Sequence, residues 1–291
     1  MKNLTLVIAI ITAISSTPVI AAGCAAEKKI EEELSLQGIS LLRINALAGY
    51  LEITPSGDES AHFSGRACSN ENEWLQYITL DVARDDHILE LTVIIPYEDD
   101  DFDARYAYMD IDLEIPENMP MEIKDSSGDI HIEQVSATLI DDSSGNIRVR
   151  DNRTSLTIKD SSGSIEVRKL HGDLEVTDSS GDIDIYDIQG SVWIPRDSSG
   201  EIDIDTVTGT VLVGRDGSGD IDIQNVGSDV EIGSDGSGSI KIREVKGAVT
   251  IGSDGSGTIN IVNISGDLLV EAKGSGHVRT HGIQGEISLP R

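Results

Sequence analysis

The sequence predicts an all-β protein: a parallel β-solenoid, right-handed as parallel crossovers are as a rule, with about 19 residues and two short strands per coil. Three observations carry this reading. A tetrapeptide recurs nine times, first as Asp-Ser-Ser-Gly from Asp125, Asp142, Asp160, Asp178 and Asp197. It returns as Asp-Gly-Ser-Gly from Asp216, Asp235 and Asp254, and last as Lys273-Gly274-Ser275-Gly276, the spacing settling from 17 and 18 to 19 residues. Between these marks the apolar residues alternate, and they repeat from period to period as Ile183, Ile202, Ile221, Ile240 and Ile259 and as Val192, Val211, Val230, Val249 and Leu268. Alternation gives strands with one buried face, and the Gly-rich punctuation gives the turns between them. One period holds too little apolar surface to offset its own ordering entropy, so the coils must stack. Eight steps of about 4.8 Å give an array roughly 38 Å long.

The segments follow in chain order. Residues 1–22 join a short charged start to an apolar run, Leu4 to Ile14, and then to small residues around Pro18. This is the layout of a secretory signal, and the run is too short to span a bilayer comfortably. An exported chain without a transmembrane span is expected, in the periplasm or at the cell surface. Residues 23–121 alternate less regularly and hold eight of the ten aromatics before position 110, whereas 24 of the 29 glycines follow residue 121. We expect irregular β coils that cap the array, with Trp74 and Tyr77 closing its open end. Residues 122–291 form the regular array, whose last edge Lys273, Arg279 and Arg291 would blunt.

Cys24 and Cys68 are the only cysteines. Either Ala21-Ala22-Gly23-Cys24 is a lipoprotein box and Cys24 carries a lipid, or Cys24 pairs with Cys68 in an oxidising compartment. Even parity, and Ala21 where a lipoprotein box usually has Leu, favour the disulfide.

Composition excludes some functions. With 52 acidic against 22 basic residues the formal charge is −30, which opposes nucleic-acid binding because phosphate contacts require Lys and Arg. It favours cations or basic surfaces as partners.

The repeating Asp-Ser-Ser-Gly-Asp-Ile units resemble the bacterial putative-adhesin domain family, exported β-strand-repeat proteins of unestablished molecular function. Ala48-Gly49-Tyr50-Leu51-Glu52-Ile53 is similar to the family's start, as is Gly65-Arg66-Ala67-Cys68 followed by Trp74-Leu75, and the likeness runs over residues 24–291. It implies an adhesive role and no enzyme. Similar members carry both an early Cys and the Cys before Trp-Leu, which implies the pairing Cys24–Cys68.

Candidate chemistry lies in four places. Stacking brings the Asp125, Asp142, Asp160, Asp178, Asp197, Asp216, Asp235 and Asp254 carboxylates about one strand spacing apart, which needs compensation. Calcium between coils would supply it. In the structural alternative, which we favour, each Asp accepts its own turn's N–H and Ser hydroxyls bridge to the next coil. Asp99, Asp101, Asp103 and Asp110 fall at positions 1, 3, 5 and 12 of a helix–loop–helix calcium loop, but Ala104 stands where that loop needs Gly. Asp182, Asp184, Glu201, Asp203, Asp220 and Asp222 form an acidic outer face, and Tyr186 with Trp193 are a candidate contact patch that could stack on a sugar. The six histidines show no metal-ligand spacing, and the coils carry no long inserted loop to wall a cleft.

The expectation is therefore an exported, non-catalytic, adhesin-like protein that binds an unidentified surface or envelope partner through its sheet faces and needs no cofactor. A structural envelope protein without a dedicated ligand is the alternative, and a calcium-binding solenoid a lesser one. End-to-end self-association is a further expectation.

Overall fold

The computed structural model describes residues 24–95 and 107–290. The protein is an all-β parallel solenoid whose two 13-stranded sheets enclose one continuous aliphatic core. Each regular coil gives one strand to each sheet, as with Ile183–Ile188 in the first and Val192–Arg196 in the second, here called sheets A and B. Nine successive sheet A strands, from Ile130–Glu133 to His277–Ile283, stack in parallel without register shifts. Ile183, Ile202, Ile221, Ile240 and Ile259 pair in sequence along the axis, each at most 1% exposed.

Simple alternation does not run through a whole coil. In sheet A the strand Ile202–Val207 buries Ile202, Ile204 and then Val207, three residues on. The slip comes from Thr206, which is left-handed. Gln134, Asp151, Lys169, Asp187, Asn225, Glu244 and Asn263 occupy the same place in their coils, the whole column having φ between 54° and 63°. One left-handed residue per coil turns the following aliphatic side chain back into the core, as a bulge does.

A second column fixes the sharp corner of the repeat. Gly128, Gly145, Gly163, Gly181, Gly200, Gly219, Gly238 and Gly257 all have φ between +126° and +157°. A Cβ added to any of them would come within 1.8 Å of the carbonyl oxygen of the glycine one coil earlier. Only a residue without a side chain permits this backbone approach.

The glycine column reaches further than the tetrapeptide does. Gly128 stacks on Gly49, whose carbonyl oxygen lies 1.8 Å from its missing Cβ. Leu41–Ala48 and Leu51–Pro55 accordingly form a coil that stacks directly on Pro120–Ser127 and Ile130–Glu133. The chain then leaves the array and returns, laying Ile88–Ile94 and Ala107–Ile115 on the other side of this coil. Three antiparallel pairings finish the N-terminal end: Ala26–Ser35 with Ser60–Ser69, the latter with Ala107–Ile115, and Thr79–Asp85 with Ile88–Ile94.

Trp74 and Tyr77 are not the plug expected of them. Their rings meet at 6.1 Å on the turn between Ser60–Ser69 and Thr79–Asp85, and Tyr77 is 55% exposed. Leu75 and Ile78 from the same turn enter the core instead. At the other end Arg279 lies exposed on the edge strand His277–Ile283, and Lys273 Nζ donates to Gly276 O. Arg291 lies outside the described residues.

Candidate functional site

The eight repeat aspartates form a ladder inside the solenoid. Asp125, Asp142, Asp160, Asp178, Asp197, Asp216, Asp235 and Asp254 are all between 0 and 6% exposed. They point inward because sheet B strands slip just as sheet A strands do. In Val211–Asp216 the buried residues are Val211, Val213 and Asp216, the outward turn being taken by Gly214 and Arg215.

The change from Asp-Ser-Ser-Gly to Asp-Gly-Ser-Gly changes the hydrogen bonding of this corner. In the Ser form the following N–H donates to the aspartate: Ser143 to Asp142 Oδ1 at 2.7 Å, Ser161 to Asp160 at 2.7 Å, Ser179 to Asp178 at 2.6 Å and Ser198 to Asp197 at 2.7 Å. Ser hydroxyls reach back one coil, Ser144 Oγ donating to Ser126 O at 3.1 Å and Ser162 Oγ to Ser143 O at 3.3 Å. In the Gly form the N–H goes to the preceding coil's backbone, with Gly236 donating to Asp216 O at 3.1 Å and Gly255 to Asp235 O at 3.0 Å. Side chains are excluded there, since a Cβ on Gly236 would lie 2.3 Å from Gly217 O. Asp235 still accepts the Ser237 N–H at 3.1 Å. Neither carboxylate oxygen of Asp125, Asp216 or Asp254 accepts a hydrogen bond, and one oxygen of Asp142, Asp160, Asp178, Asp197 and Asp235 is also unmatched.

Burial is the largest cause that raises every carboxyl in the ladder, taking Asp125 and Asp216 to about 7 and Asp160 and Asp235 to about 6. Asp142, Asp178, Asp197 and Asp254 are raised for the same reason. Asp197 and Asp235, one coil to either side, raise Asp216 further. Among the described residues no three His, Cys, Asp or Glu side chains converge as a metal-binding group.

The second acidic candidate is divided. Asp99, Asp101 and Asp103 lie outside the described residues. Asp110 sits in the strand Ala107–Ile115, where Oδ2 meets Arg66 at 2.5 Å and Oδ1 accepts the Tyr50 N–H at 3.0 Å.

The outer acidic face lies on sheet A. Asp184, Asp203 and Asp222 are direct register partners, preceded in their coils by Asp182, Glu201 and Asp220. Part of this charge is matched: Arg243 meets Asp222 at 2.7 Å and Lys241 meets Asp220 at 3.1 Å. Tyr186 Oη lies 3.0 Å from Asp203 Oδ2 and 3.2 Å from Asp184 Oδ1. The Arg168 guanidinium stacks 4.4 Å from the Tyr186 ring centroid. Burial and these two carboxylates raise the phenol well above its ordinary range.

Tyr186 and Trp193 do not form a joint patch. Tyr186 belongs to sheet A and Trp193 to sheet B, because a turn at Gln189–Ser191 separates their strands. Tyr186 is held by its own sheet, whereas Trp193 stands 45% exposed with Leu212 beside it in register. A groove runs across four coils along the left-handed column, lined by Thr206, Asn225, Glu244 and Asn263.

Cys24 and Cys68 are joined by a disulfide across a sequence separation of 44, tying the start of the edge strand Ala26–Ser35 to Ser60–Ser69. With Cys24 Sγ in this bond, the lipid-bearing alternative has no thiol to use in this structure.

The chain covers 91% of itself and 98% of a putative adhesin from Bacteroides fragilis at 16% identity and a TM-score of 0.38. Against a putative lipid binding protein from Parabacteroides distasonis the figures are 89%, 98%, 16% and 0.44, and against a putative cell adhesion protein from Clostridium sporogenes 88%, 99%, 14% and 0.34. Likeness at this level assigns no function to any residue here. No curated protein matches the chain. Residues 89–192, from the cap strand Ile88–Ile94 into the coil of Trp193, match the Toastrack DUF4097 family model.

Proposed function

We propose that this protein is an exported, non-catalytic binding protein of the adhesive kind, which engages its partner on an outer sheet face and needs no metal. The exposed Trp193 carries this reading. Among the described residues of the array Trp193 is the exposed aromatic, left in solvent beside the half-buried Leu212, whereas the exposed Ile287 and Leu289 lie at the last coil's end. Aromatic side chains left half in water are favoured where a partner covers them. The uniform coils support binding over catalysis, since among the described residues the strands from Ile130 to Ile283 are joined by short turns and no inserted loop walls a cleft between them. The Cys24–Cys68 disulfide supports an oxidising compartment, periplasm or cell surface. The structures resembled through the fold are described as adhesins and as a lipid binding protein, which accords with a binding role.

Retention of the labelled protein on glycan-bearing cell surfaces tests the reading. Wild type should be retained and Trp193→Ala should wash off while melting at the same temperature. Equal retention of the two, or none of either, counts against it.

A further inference from the structure

Sheet B, on a chain with a net charge of −30, carries a pair of unmatched cations next to Trp193. Arg196 and Arg215 occupy the same place in consecutive coils, the Asp197 N–H donating to Arg215 O at 2.8 Å. The two guanidinium groups are thus about one strand spacing, ~4.8 Å, apart at their backbones. Both are exposed, and neither makes an ion pair or side-chain hydrogen bond among the described residues. Arg148, Arg168 and Arg243 on sheet A, by contrast, each lie against a carboxylate. Like charges held side by side without a counter-charge are unfavourable until an anion lies across them.

Only small side chains separate the indole from the arginines. At this step stand the half-buried Pro195 ring and, one coil on, Gly214, where an added Cβ would fall 2.4 Å from Pro195 O. Trp193 and Leu212 therefore form one end of a shallow track, and Arg196 and Arg215 the other, roughly 10 Å away along the strands. Glu175 flanks Trp193 on one side and Glu231 flanks Leu212 on the other, which confines the track to two coils.

We propose that this track binds an acidic polysaccharide, one sugar ring lying on Trp193 and Leu212 and a carboxylate of the chain bridging Arg196 and Arg215. The proposal rests on the face-binding reading and names its ligand class. A flat apolar ring face suits an indole, and a planar carboxylate suits paired guanidinium groups. Two coils are wide enough for a single polymer chain, whereas Glu175 and Glu231 would repel an anionic bilayer laid across the face. The chain's remaining acids do not prevent this, because at physiological salt charges more than about 8 Å away are largely screened.

Polygalacturonate is the probe, with dextran and phosphatidylglycerol vesicles as comparisons. Trp74→Phe leaves Trp193 as the one tryptophan, so its emission reports the track. Polygalacturonate should shift that emission, with affinity falling about tenfold in Arg196→Gln/Arg215→Gln and falling again as salt rises. Trp193→Ala, followed by calorimetry, should lose binding to a similar degree. Dextran and vesicles should leave the emission unchanged. Polygalacturonate that fails to bind, or binds the arginine variant equally well, overturns the proposal, and so do vesicles that shift the emission in its place. Cell retention that depends on Trp193 while polygalacturonate does not bind would reject this ligand class and leave the face-binding reading standing.

Discussion

The Cβ that Gly200 lacks would lie 1.8 Å from the carbonyl oxygen of Gly181, with Gly200 itself at φ +139°. Backbone meets backbone at this corner, so no rotamer change can relieve an added methyl group. Gly200→Ala should cost about 3 kcal/mol or more, from the clash together with the unfavourable φ. Urea unfolding with matched controls at an exposed position such as Ser198 measures it; a loss under about 1 kcal/mol would contradict the close stacking.

The left-handed column makes the opposite prediction. Thr206 is β-branched at φ 63°, where Asn225 and Asn263 hold the same place comfortably. Thr206→Asn should stabilise the protein by roughly 0.5–1 kcal/mol, read as a raised urea midpoint at unchanged m-value. A lowered midpoint would show that the Thr206 hydroxyl, 3.0 Å from Asp205, matters more than the backbone strain.

The aspartate ladder sets a pH dependence. Its folded-state carboxyls titrate above their unfolded values, so between about pH 4 and 7 the folded chain holds more protons than the unfolded one. This contribution is full below about pH 4 and is lost as pH rises through 7. The melting temperature should therefore be higher at about pH 5 than at about pH 8. Asp216→Asn, which supplies a permanent donor between Asp197 and Asp235, should stabilise the protein at neutral pH by about 1–3 kcal/mol and flatten the curve. A melting temperature that rises from acid to neutral pH would contradict this account of the ladder.

Calcium is expected to have no part in stability. Added calcium and added chelator should both leave the melting temperature unchanged, and a rise of several degrees with calcium would reinstate an inter-coil ion.

The disulfide tethers an edge strand outside the repeat array. Cys24→Ala with Cys68→Ala should cost about 2–4 kcal/mol by freeing the closed loop of 44 residues in the unfolded chain. Hydrogen exchange should quicken in Ala26–Ser35 and stay slow in coils such as Ile202–Val207.

The solenoid was legible because its period and aliphatic columns recur through the array, and Ile183 above Ile202 is what the repeat requires. The ladder's direction was not. Strict alternation from Val211 and Val213 turns Arg215 inward and Asp216 outward, and the slip that reverses them leaves no mark in the residue types. The left-handed column is equally silent, since Gln, Asp, Lys, Thr, Asn and Glu all occupy it. Gly49 was within reach: Gly-Tyr-Leu-Glu-Ile has the shape of Gly-Asp-Ile-Asp-Ile, but about 65 residues of excursion separate its coil from the next. Tyr186 and Trp193 were joined by nearness in sequence, which a corner between two sheets undoes.

The adhesive reading stands on the array being outside. Protease accessibility of the native protein on intact cells, compared with cells whose outer barrier has been opened, tests that most directly. The account predicts cleavage without opening. Protection until the barrier is opened would contradict it and leave an envelope protein facing periplasmic partners.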